Sequence, residues 1–306
     1  MSLYKVKITL PATISNLGPG LNSLGLAIGL YTTVEISQRD DYRLVVETEG
    51  EGSGSYGTGV RHPVTLALMR IFQRLERTVP GLTVRVSNRI PLGSGLGAEA
   101  AFWVAGIIAA NNLLGTVFTR TQILEIAAQV SGLPSQTVTS ILGGLTTSTI
   151  QGETLIYRAL TTSSFMVIVA LPELESYRSE VAQVKPERVP LNDALYNLGR
   201  VPLLIEALKT GDLKLLAQSL DDRLHVPYLK PHIAGFDHVA EMARRAGAQA
   251  VTLSGDGPAL IVFAERDHKK IAQAIEQAFQ NAGVKARSWV LPIDTQGVVV
   301  SVAGTA

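Results

Sequence analysis

Hydrophobic residues along this chain recur with two different spacings. Leu82, Val84 and Val86 alternate with polar residues, which predicts a strand, whereas residues 102–114 form a long Ala-rich apolar stretch that predicts a buried helix. Residues 165–171 are continuously apolar, as is typical of a strand covered on both faces. Strands and helices therefore both occur, and their mixture predicts an α+β fold.

The same two spacings extend over the rest of the chain. Further strands are predicted at residues 4–10, 31–36 paired with 42–48, a strand pair in 143–157, two halves of 251–263, and 286–292. Further helices are predicted at residues 62–75, 121–130 (capped by Thr119 or Thr121), 191–208, 213–220, 233–246 and 269–282. Predicted turns and loops, most of them rich in Gly, Pro, Ser or Asn, are residues 11–25, 50–59, 131–140 and 172–190.

The length of 306 residues is enough for two domains of about 150 residues, each with its own hydrophobic core. The pattern of elements changes between residues 150 and 165, so the predicted domains are residues 1–155 and 156–306. No internal repeat is visible. The strand, glycine-rich turn and apolar helix at residues 82–114 fall in the first of these domains.

The composition limits the kinds of partner that the protein is expected to bind. Charged residues make up 17% of the chain and hydrophobic residues 46%, which is typical of a globular protein. A net charge of +1 gives no reason to expect a nucleic acid or an anionic membrane as partner. The absence of cysteine excludes disulfides and thiolate metal sites. Since no signal peptide or membrane-spanning run is found, we expect a soluble, cytoplasmic protein with a small-molecule ligand.

The turn between the strand at 82–90 and the helix at 102–114 is the first candidate for chemistry. It contains Gly93, Gly95 and Gly97, which can adopt positive φ and let a ligand approach the backbone closely. The start of a helix offers unpaired N–H groups to an anion, so phosphate is the expected ligand. A glycine-rich turn without a ligand is the alternative. The spacing matches neither the phosphate loop that ends in Gly-Lys-Ser/Thr nor the dinucleotide motif.

Three glycine-rich motifs together resemble the signature of the GHMP kinases, a superfamily that includes galactokinase, homoserine kinase and mevalonate kinase. They are Pro-Ala-Thr-x-x-Asn-Leu-Gly-Pro-Gly at residues 11–20, Pro-x-Gly-x-Gly-Leu-Gly at 91–97 and Ser-Gly-x-Gly-Pro at 254–258. Within the superfamily the chain is most similar to homoserine kinase, because it matches a helix of that family at 193–200 and its Asp-Arg-Leu-His-x-Pro-Tyr motif at 222–228.

This resemblance implies a two-domain GHMP-kinase fold, with a glycine-rich phosphate loop in the N-terminal domain and an α/β sandwich in the C-terminal domain. It implies ATP and Mg²⁺ as cofactors, with the phosphates on the central loop and the acceptor, L-homoserine in that family, between the two halves. A homodimer is expected only by analogy with related kinases.

The resemblance also carries site residues over to this chain. The implied nucleotide-binding residues are Pro91, Gly93, Ser94, Gly95, Leu96, Gly97, Ala98 and Glu99. The implied substrate-side residues are Ser15, Asn22, Ser135, Arg178, His225, Ser254, Gly255 and Gly257. The catalytic candidates are Asn16 and Glu99, and no residue is assigned as a metal ligand.

Two glycine motifs depart from the family pattern in charge. Ala98 and Glu99 replace both serines of Gly-Leu-Gly-Ser-Ser-Ala-Ala, whose hydroxyls hold phosphate and Mg²⁺ in the family. The helix dipole favours a carboxylate at this position, so Glu99 is either a local cap or a new metal ligand. It would repel phosphate unless a cation lies between them. Asp256 adds a second negative charge inside the third glycine turn.

Further departures affect the metal and the acceptor. The family's Glu-Gly-His-Pro-Asp-Asn-Val becomes Ser-Gly-Leu-Pro-Ser-Gln-Thr at residues 131–137, which lacks both carboxylates and the histidine. Asn22 replaces an aspartate, and the expected Thr-x-x-x-Arg pair falls on Arg178 and Ala182. The arginine expected after His-x-Pro-Tyr is Leu229. Arginine suits an amino-acid carboxylate because it binds both oxygens.

Three functions remain open at this point. The first is an ATP-dependent kinase of homoserine-kinase type, in which Glu99 or Asp256 takes over part of the metal role. The second is a catalytically inactive binding or regulatory protein on the same scaffold. The third is a kinase for a different, less charged acceptor. His225 is either a structural turn residue or a catalyst, and the resemblance implies a place on the substrate side.

Overall fold

Two β-sheets form the framework of the protein in a computed structural model, which describes residues 5–57 and 59–303. The strands are β1 (Lys5–Ser15), β2 (Leu24–Arg39), β3 (Leu44–Gly50), β4 (Gly81–Asn88), β5 (Leu145–Gln151), β6 (Thr154–Leu160), β7 (Met166–Pro172), β8 (Ala250–Leu253), β9 (Leu260–Phe263), β10 (Ala286–Pro292) and β11 (Val299–Ala303). The helices are α1 (Pro63–Arg74), α2 (Ala98–Leu113), α3 (Arg120–Ser131), α4 (Pro134–Leu142), α5 (Tyr177–Val181), α6 (Leu191–Thr210), α7 (Leu213–Ser219), α8 (Val226–Leu229), α9 (Phe236–Arg245) and α10 (His268–Asn281). Tyr4 and Thr58, which belong to a predicted strand and a predicted loop, lie outside the described residues.

The first sheet has seven strands and the second has four. The first has the order β11-β1-β2-β4-β3, and β5 with β6 branches from the start of β2. The 16 residues of β2 allow this, because Leu24–Leu26 pair with β5 while residues 32–39 pair with β4. The second sheet has the order β10-β7-β9-β8 and is antiparallel throughout.

Helix α2 is the buried centre of the N-terminal half. Its apolar residues occur on every face, as expected for a helix that other elements surround. The side chains of Phe102 and Ile107 are 0% exposed. Gly106 allows α1 to approach closely, since a methyl group there would lie 2.1 Å from the carbonyl oxygen of Val64. This packing holds the first turn of α2, which carries Glu99, in a fixed position relative to the sheet.

The second sheet has its own hydrophobic core. Val239 of α9 and Ile271, Ile275 and Phe279 of α10 are buried in it with apolar residues of β7, β8 and β9. The apolar residues of α10 recur at three- to four-residue spacing, which puts them on one face. Among the described helices, none is both long and apolar enough to cross a membrane.

Most predicted elements are confirmed, including the apolar helix (α2), the strand that precedes it (β4) and the buried strand (β7). The α+β class is confirmed as well. Of the two threonines proposed as a cap, Thr119 is correct. Its Oγ1 accepts a hydrogen bond from the backbone N–H of Gln122 at 3.3 Å, and the Gln122 side chain accepts one from the Thr119 N–H in return.

Four local predictions are wrong, one of them the surface loop at residues 172–190, which contains α5. Residues 11–15 continue β1 instead of opening a loop, because pairing with β2 resumes after an irregularity between Pro11 and Ala12, where a proline is tolerated. Residues 134–142 form α4 instead of a polar turn, with Pro134 at a position that suits a helix start. Strands β2 and β3 are not partners, since β4 lies between them and pairs with β3 in parallel. Strand β11 was not predicted.

The division of the chain into residues 1–155 and 156–306 stays a prediction. The strand that contains this division, β6, runs on to Leu160 within the first sheet. The last strand, β11, returns to the first sheet and pairs antiparallel with β1 along Lys5–Thr9. The first sheet therefore uses residues from both ends of the chain.

His62 is a buried histidine in the N-terminal half of the chain. Its ring is 0% exposed and lies between Tyr56 and Phe102, with ring centroids 5.2 and 5.1 Å away. Its Nδ1 accepts a hydrogen bond from the backbone N–H of Val64 at 3.2 Å and so caps α1. Burial lowers the pKa of His62 to about 4, so the ring is neutral in the folded protein at neutral pH.

We expect His62 to make stability depend on pH. The unfolded imidazole has a pKa of about 6.5, so the unfolded state gains a proton between that pH and the folded pKa of about 4. The contribution of neutral His62 to the free energy of unfolding is complete above the unfolded pKa. It is lost as the pH falls towards the folded pKa, at up to about 1.4 kcal/mol per pH unit. In His62→Asn, which keeps a capping acceptor, this slope should decrease in denaturant unfolding curves at pH 7, 6 and 5.

The exposed His238 on α9 provides the control, since His238→Asn removes a histidine without removing a buried one. The decrease in slope should be larger in His62→Asn than in His238→Asn. An unchanged slope in His62→Asn would show that His62 accepts its proton as readily when folded as when unfolded.

Candidate functional site

The three glycine-rich motifs meet at one place between the two sheets. The backbone N–H of Gly255 in the third motif donates to the carbonyl oxygen of Ser15 in the first motif at 2.7 Å. The Oγ of Ser254 donates to the carbonyl oxygen of Gly95 in the central motif at 2.8 Å. The motifs are therefore joined to one another by hydrogen bonds and are not only close in space.

The central turn can adopt its shape only with glycine. Gly93, Gly95 and Gly97 have φ of 68°, 83° and 80°, in the left-handed region that glycine tolerates without strain. A methyl group at Gly95 would lie 2.1 Å from the carbonyl oxygen of Ser254, and one at Gly97 would lie 2.2 Å from Oγ1 of Thr13. The turn thus packs directly against both neighbouring motifs and leaves no room for a side chain at these two positions.

Ser94 stabilises the turn from inside. Its side chain is 1% exposed, its Oγ donates to the carbonyl oxygen of Pro91 at 2.7 Å, and it accepts from the backbone N–H of Leu96 at 3.3 Å. Helix α2 begins directly after Gly97, which has no side chain with which to cap it. The start of α2 therefore has the arrangement that favours an anion.

A cleft of about 470 Å³ lies beside the three motifs. The predicted residues that line it are Ser15, Asn16, Asn22, Pro91, Gly93, Ser94, Gly95, Leu96, Gly97, Ala98, Glu99, Ser135, Arg178 and Gly257. The remaining predicted residues, His225, Ser254 and Gly255, are not in the lining. Lining residues that were not predicted as site residues include Gln136, Tyr177 and Lys185, and Asp256, which was considered for the metal role, also lines the cleft.

Asp256 is the most connected side chain of the cleft. Its carboxylate accepts from Nε2 of His225 at 2.9 Å, from Nζ of Lys185 at 2.9 Å and from Nδ2 of Asn16 at 3.4 Å. The hydrogen bond from His225, with the contribution of Lys185, lowers the pKa of Asp256 to about 2. Tyr177, whose pKa is raised by burial, donates from its hydroxyl to the carbonyl oxygen of Asp256 at 2.7 Å.

His225 reaches Asp256 from a turn that is built around Asp222. The buried Asp222 carboxylate accepts hydrogen bonds from the backbone N–H groups of Leu224 (2.9 Å), His225 (2.9 Å) and Val226 (2.6 Å) and from Nδ2 of Asn197 (2.6 Å). His225 itself is 1% exposed, and its Nδ1 has no hydrogen-bond partner in the described part of the chain. The Asp-Arg-Leu-His motif thus directs an imidazole at the third glycine turn.

Glu99 forms an ion pair across the central turn. Its Oε1 lies 3.5 Å from Nη2 of Arg178, and both side chains are partly exposed. The Arg178 side chain lies against the turn, because a methyl group at Gly93 would meet its Cδ at 2.8 Å. The carboxylate at the start of α2 is therefore accompanied by a cation from the C-terminal half.

Two asparagines and a serine form the wall contributed by the first motif. Asn16 and Asn22 have φ of 53° and 55°, and Oδ1 of Asn16 accepts from the backbone N–H of Asn22 at 2.9 Å. The Oγ of Ser15 accepts from Nε2 of Gln136 at 3.1 Å. This wall is polar and carries no formal charge.

The segment at residues 131–137 contributes a neutral wall. Oγ of Ser131 lies 3.0 Å from Oγ1 of Thr137 and accepts from the backbone N–H of Leu133 at 3.1 Å, so it is satisfied within its own turn. Ser135 is 7% exposed and lies in the first turn of α4, at the edge of the cleft. The carboxylates of the cleft lining are thus Glu99 and Asp256.

The backbone N–H groups of the central turn and of the start of α2 fit phosphate directly. The two carboxylates of the cleft fit Mg²⁺ when phosphate is bound beside them. The described residues contain no group of three or more His, Asp or Glu side chains that could hold a metal ion. Mg²⁺ beside phosphates, however, is commonly held by one or two carboxylates and by phosphate oxygens. Glu99 and Asp256 could supply that number, although each is already paired with a cation.

Comparison with known proteins identifies the family. The family model of the GHMP kinases N terminal domain matches residues 63–144, and that of the GHMP kinases C terminal domain matches residues 204–285. The homoserine kinase of Carboxydothermus hydrogenoformans is 35% identical over 281 residues, which cover 92% of this chain and 92% of that protein. The homoserine kinase of Moorella thermoacetica is 35% identical over 294 residues, which cover 96% and 99%.

Solved structures, together with the two family models, confirm the predicted two-domain GHMP-kinase fold. The crystal structure of homoserine kinase from Cytophaga hutchinsonii superimposes with a TM-score of 0.85 at 24% identity, covering 97% of each chain. A putative homoserine kinase from Listeria monocytogenes gives a TM-score of 0.78 at 24% identity, with 98% of this chain and 100% of that chain covered. By its identity to curated relatives over nearly its whole length, the chain belongs to the homoserine kinase family of the GHMP kinases.

Proposed function

We propose that the protein transfers the γ-phosphoryl group of ATP to the hydroxyl group of a small molecule, with L-homoserine as the acceptor. The observation that supports this most is the meeting of three glycine-rich motifs around one cleft, where the central turn and the start of α2 have the arrangement that favours an anion. The choice of acceptor rests on the relatives that are named homoserine kinase.

The proposed roles follow from charge and position. The backbone of Gly93–Gly97 would hold the phosphates, and Glu99 or Asp256 would hold Mg²⁺, which neutralises phosphate charge when it is bound. Asn16, with its Oδ1 engaged by Asn22, would present its Nδ2 to the acceptor and to Asp256. Phosphoryl transfer depends mainly on such positioning and neutralisation, so the absence of a free base from the lining does not prevent it.

A non-catalytic binding protein is the second candidate. The observation in its favour is that both carboxylates of the cleft lining are already paired with cations, while residues 131–137 provide no acid. A kinase for a less charged acceptor is the third candidate. Leu229 is 0% exposed and Ala182 is apolar, so neither supplies the arginine that would bind an amino-acid carboxylate.

The direct test is turnover of ATP and L-homoserine in the presence of Mg²⁺, with the phosphorylated product detected by mass spectrometry. We expect turnover in the range common for enzymes, roughly 1–1000 s⁻¹. Glu99→Ala should abolish it because a carboxylate next to the phosphates is lost. Glu47→Ala removes a carboxylate of similar exposure, paired with Arg85 on the sheet surface, and should leave turnover unchanged.

Calorimetric titration with ATP, with and without Mg²⁺, separates the candidates. Magnesium-dependent binding without turnover of homoserine or of a panel of other small alcohols would support the binding protein and contradict the proposal. Turnover of another alcohol but not of homoserine would support the third candidate. Unchanged turnover in Glu99→Ala would exclude Glu99 from the metal role.

The close packing of the central turn predicts a second result. In Gly95→Ala the new methyl group would lie 2.1 Å from a backbone carbonyl oxygen, so the three motifs must separate. Gly54→Ala is the matched control, because Gly54 has φ of 81° and no atom lies within 4 Å of the methyl group that this substitution adds, which leaves only the backbone strain. We expect Gly95→Ala to lose about 1–3 kcal/mol more stability than Gly54→Ala. We also expect Gly95→Ala to lose ATP binding. Equal losses of stability in thermal unfolding would contradict this packing.

A further inference from the structure

Residues 173–190, which we call the strap, connect β7 to α6 and lie along the edge of the cleft. Tyr177 and Val181 of α5 are the strap's buried residues, at 2% and 8% exposure. The hydroxyl of Tyr177 donates to the carbonyl oxygen of Asp256 at 2.7 Å. The strap is therefore anchored by two side chains on one turn of helix, and most of its other side chains are exposed.

Two cations of the strap reach two different glycine motifs. Nη2 of Arg178 lies 3.5 Å from Oε1 of Glu99, beside the central motif, and Nζ of Lys185 lies 2.9 Å from the carboxylate of Asp256 in the third motif. All four side chains line the same cleft. Together the two ion pairs connect the strap to both sides of the place proposed for phosphate.

The four side chains of these pairs are between 40% and 66% exposed. Exposed ion pairs contribute little to stability, because water screens the charges and ordering two long side chains costs entropy. A ligand with several negative charges would therefore meet little resistance in displacing the carboxylates from their cations, because its phosphate oxygens form the same charge-assisted hydrogen bonds with guanidinium and ammonium groups and carry more negative charge than one carboxylate.

The carboxylate of Glu99 resembles a bound anion in its position. It lies in the first turn of α2, where the helix dipole favours negative charge, and directly follows the glycine turn. A phosphate at the same helix start would compete with Glu99 both for that end of the helix and for Arg178. Asp256 differs, because it keeps hydrogen bonds from His225 and Asn16 when Lys185 leaves.

We propose that Arg178 and Lys185 form a polyphosphate-binding clamp, closed on Glu99 and Asp256 in the free protein, whose cations transfer to an anionic ligand when it enters the cleft. This inference rests on the proposed position of phosphate at the central turn, but not on phosphoryl transfer itself. Glu99 acts as an internal competitor for the clamp, and the strap moves with its cations. The chemical class of the ligand is a linear polyphosphate, free or as part of a nucleotide.

The test is calorimetric binding of inorganic tripolyphosphate in metal-free buffer containing a chelator. Glu99→Gln removes the competing charge at nearly constant shape and should bind tripolyphosphate about tenfold more tightly than the unsubstituted protein. Arg178→Gln should bind it at least tenfold more weakly, and Lys185→Gln should also weaken it. In the double variant with Glu99→Gln and Arg178→Gln, the gain from Glu99→Gln should vanish, since no cation remains to be released.

The exposed pair Glu47–Arg85 supplies the control, and Glu47→Gln should leave tripolyphosphate binding unchanged. Thermal unfolding of each variant establishes that it is folded. The clamp is overturned if Glu99→Gln has the affinity of the unsubstituted protein, or if its gain persists without Arg178. Unchanged tripolyphosphate affinity in Arg178→Gln, with a raised KM for homoserine alone, would assign Arg178 to the acceptor instead and also overturn it.

The clamp and the proposed kinase activity fail in different ways. Absence of tripolyphosphate binding in every variant, Glu99→Gln included, would overturn the clamp and remove the phosphate site on which it rests. Tripolyphosphate binding with the expected variant effects, but without turnover of ATP, would support the clamp while contradicting the kinase.

Discussion

The close approach of Gly95 to the backbone of Ser254 is the constraint on which the site depends. Three segments that are distant in sequence meet there through backbone hydrogen bonds and through the hydrogen bond from Oγ of Ser254 to the carbonyl oxygen of Gly95. The central turn is fixed against the third motif on one side and against Thr13 on the other. The start of α2, which follows this turn, is therefore held in place. The cleft lies beside this junction, and residues of the adjoining segments form its walls.

The charges of those walls form compensating pairs. Glu99 follows the central turn and Arg178 belongs to α5, yet the two contact each other across that turn. Asp256, in the third glycine motif, contacts Lys185. Each carboxylate of the cleft lining is thus accompanied by a cation, and residues 131–137 add no charge to the cleft. Charged residues that look independent along the chain are partners in space.

Local patterns predicted the parts of the protein that local chemistry determines. The apolar run of α2, the glycine turn and the capping box at Thr119 follow from neighbouring residues. Pairing across the sheet does not, so residues 11–15 and the position of β4 between β2 and β3 were missed. The partners of Asp256 were missed for the same reason, since His225 and Lys185 are 31 and 71 residues away from it in sequence. Lys185 also lies in a segment without periodicity, where nothing indicates which way a side chain points.

The pairing of β1 with β11 has a consequence for how the protein forms in the cell. Val6 lies opposite Val302, so one edge of the first sheet is completed only by residues near the far end of the chain. During synthesis at the ribosome, β1 and β2 emerge long before β11, and the free edge of β1 is exposed for that time. Unpaired strand edges of this kind are where nascent chains associate with one another, and contacts so distant in sequence form slowly. The N-terminal half therefore finishes folding only after the C-terminal half has been made.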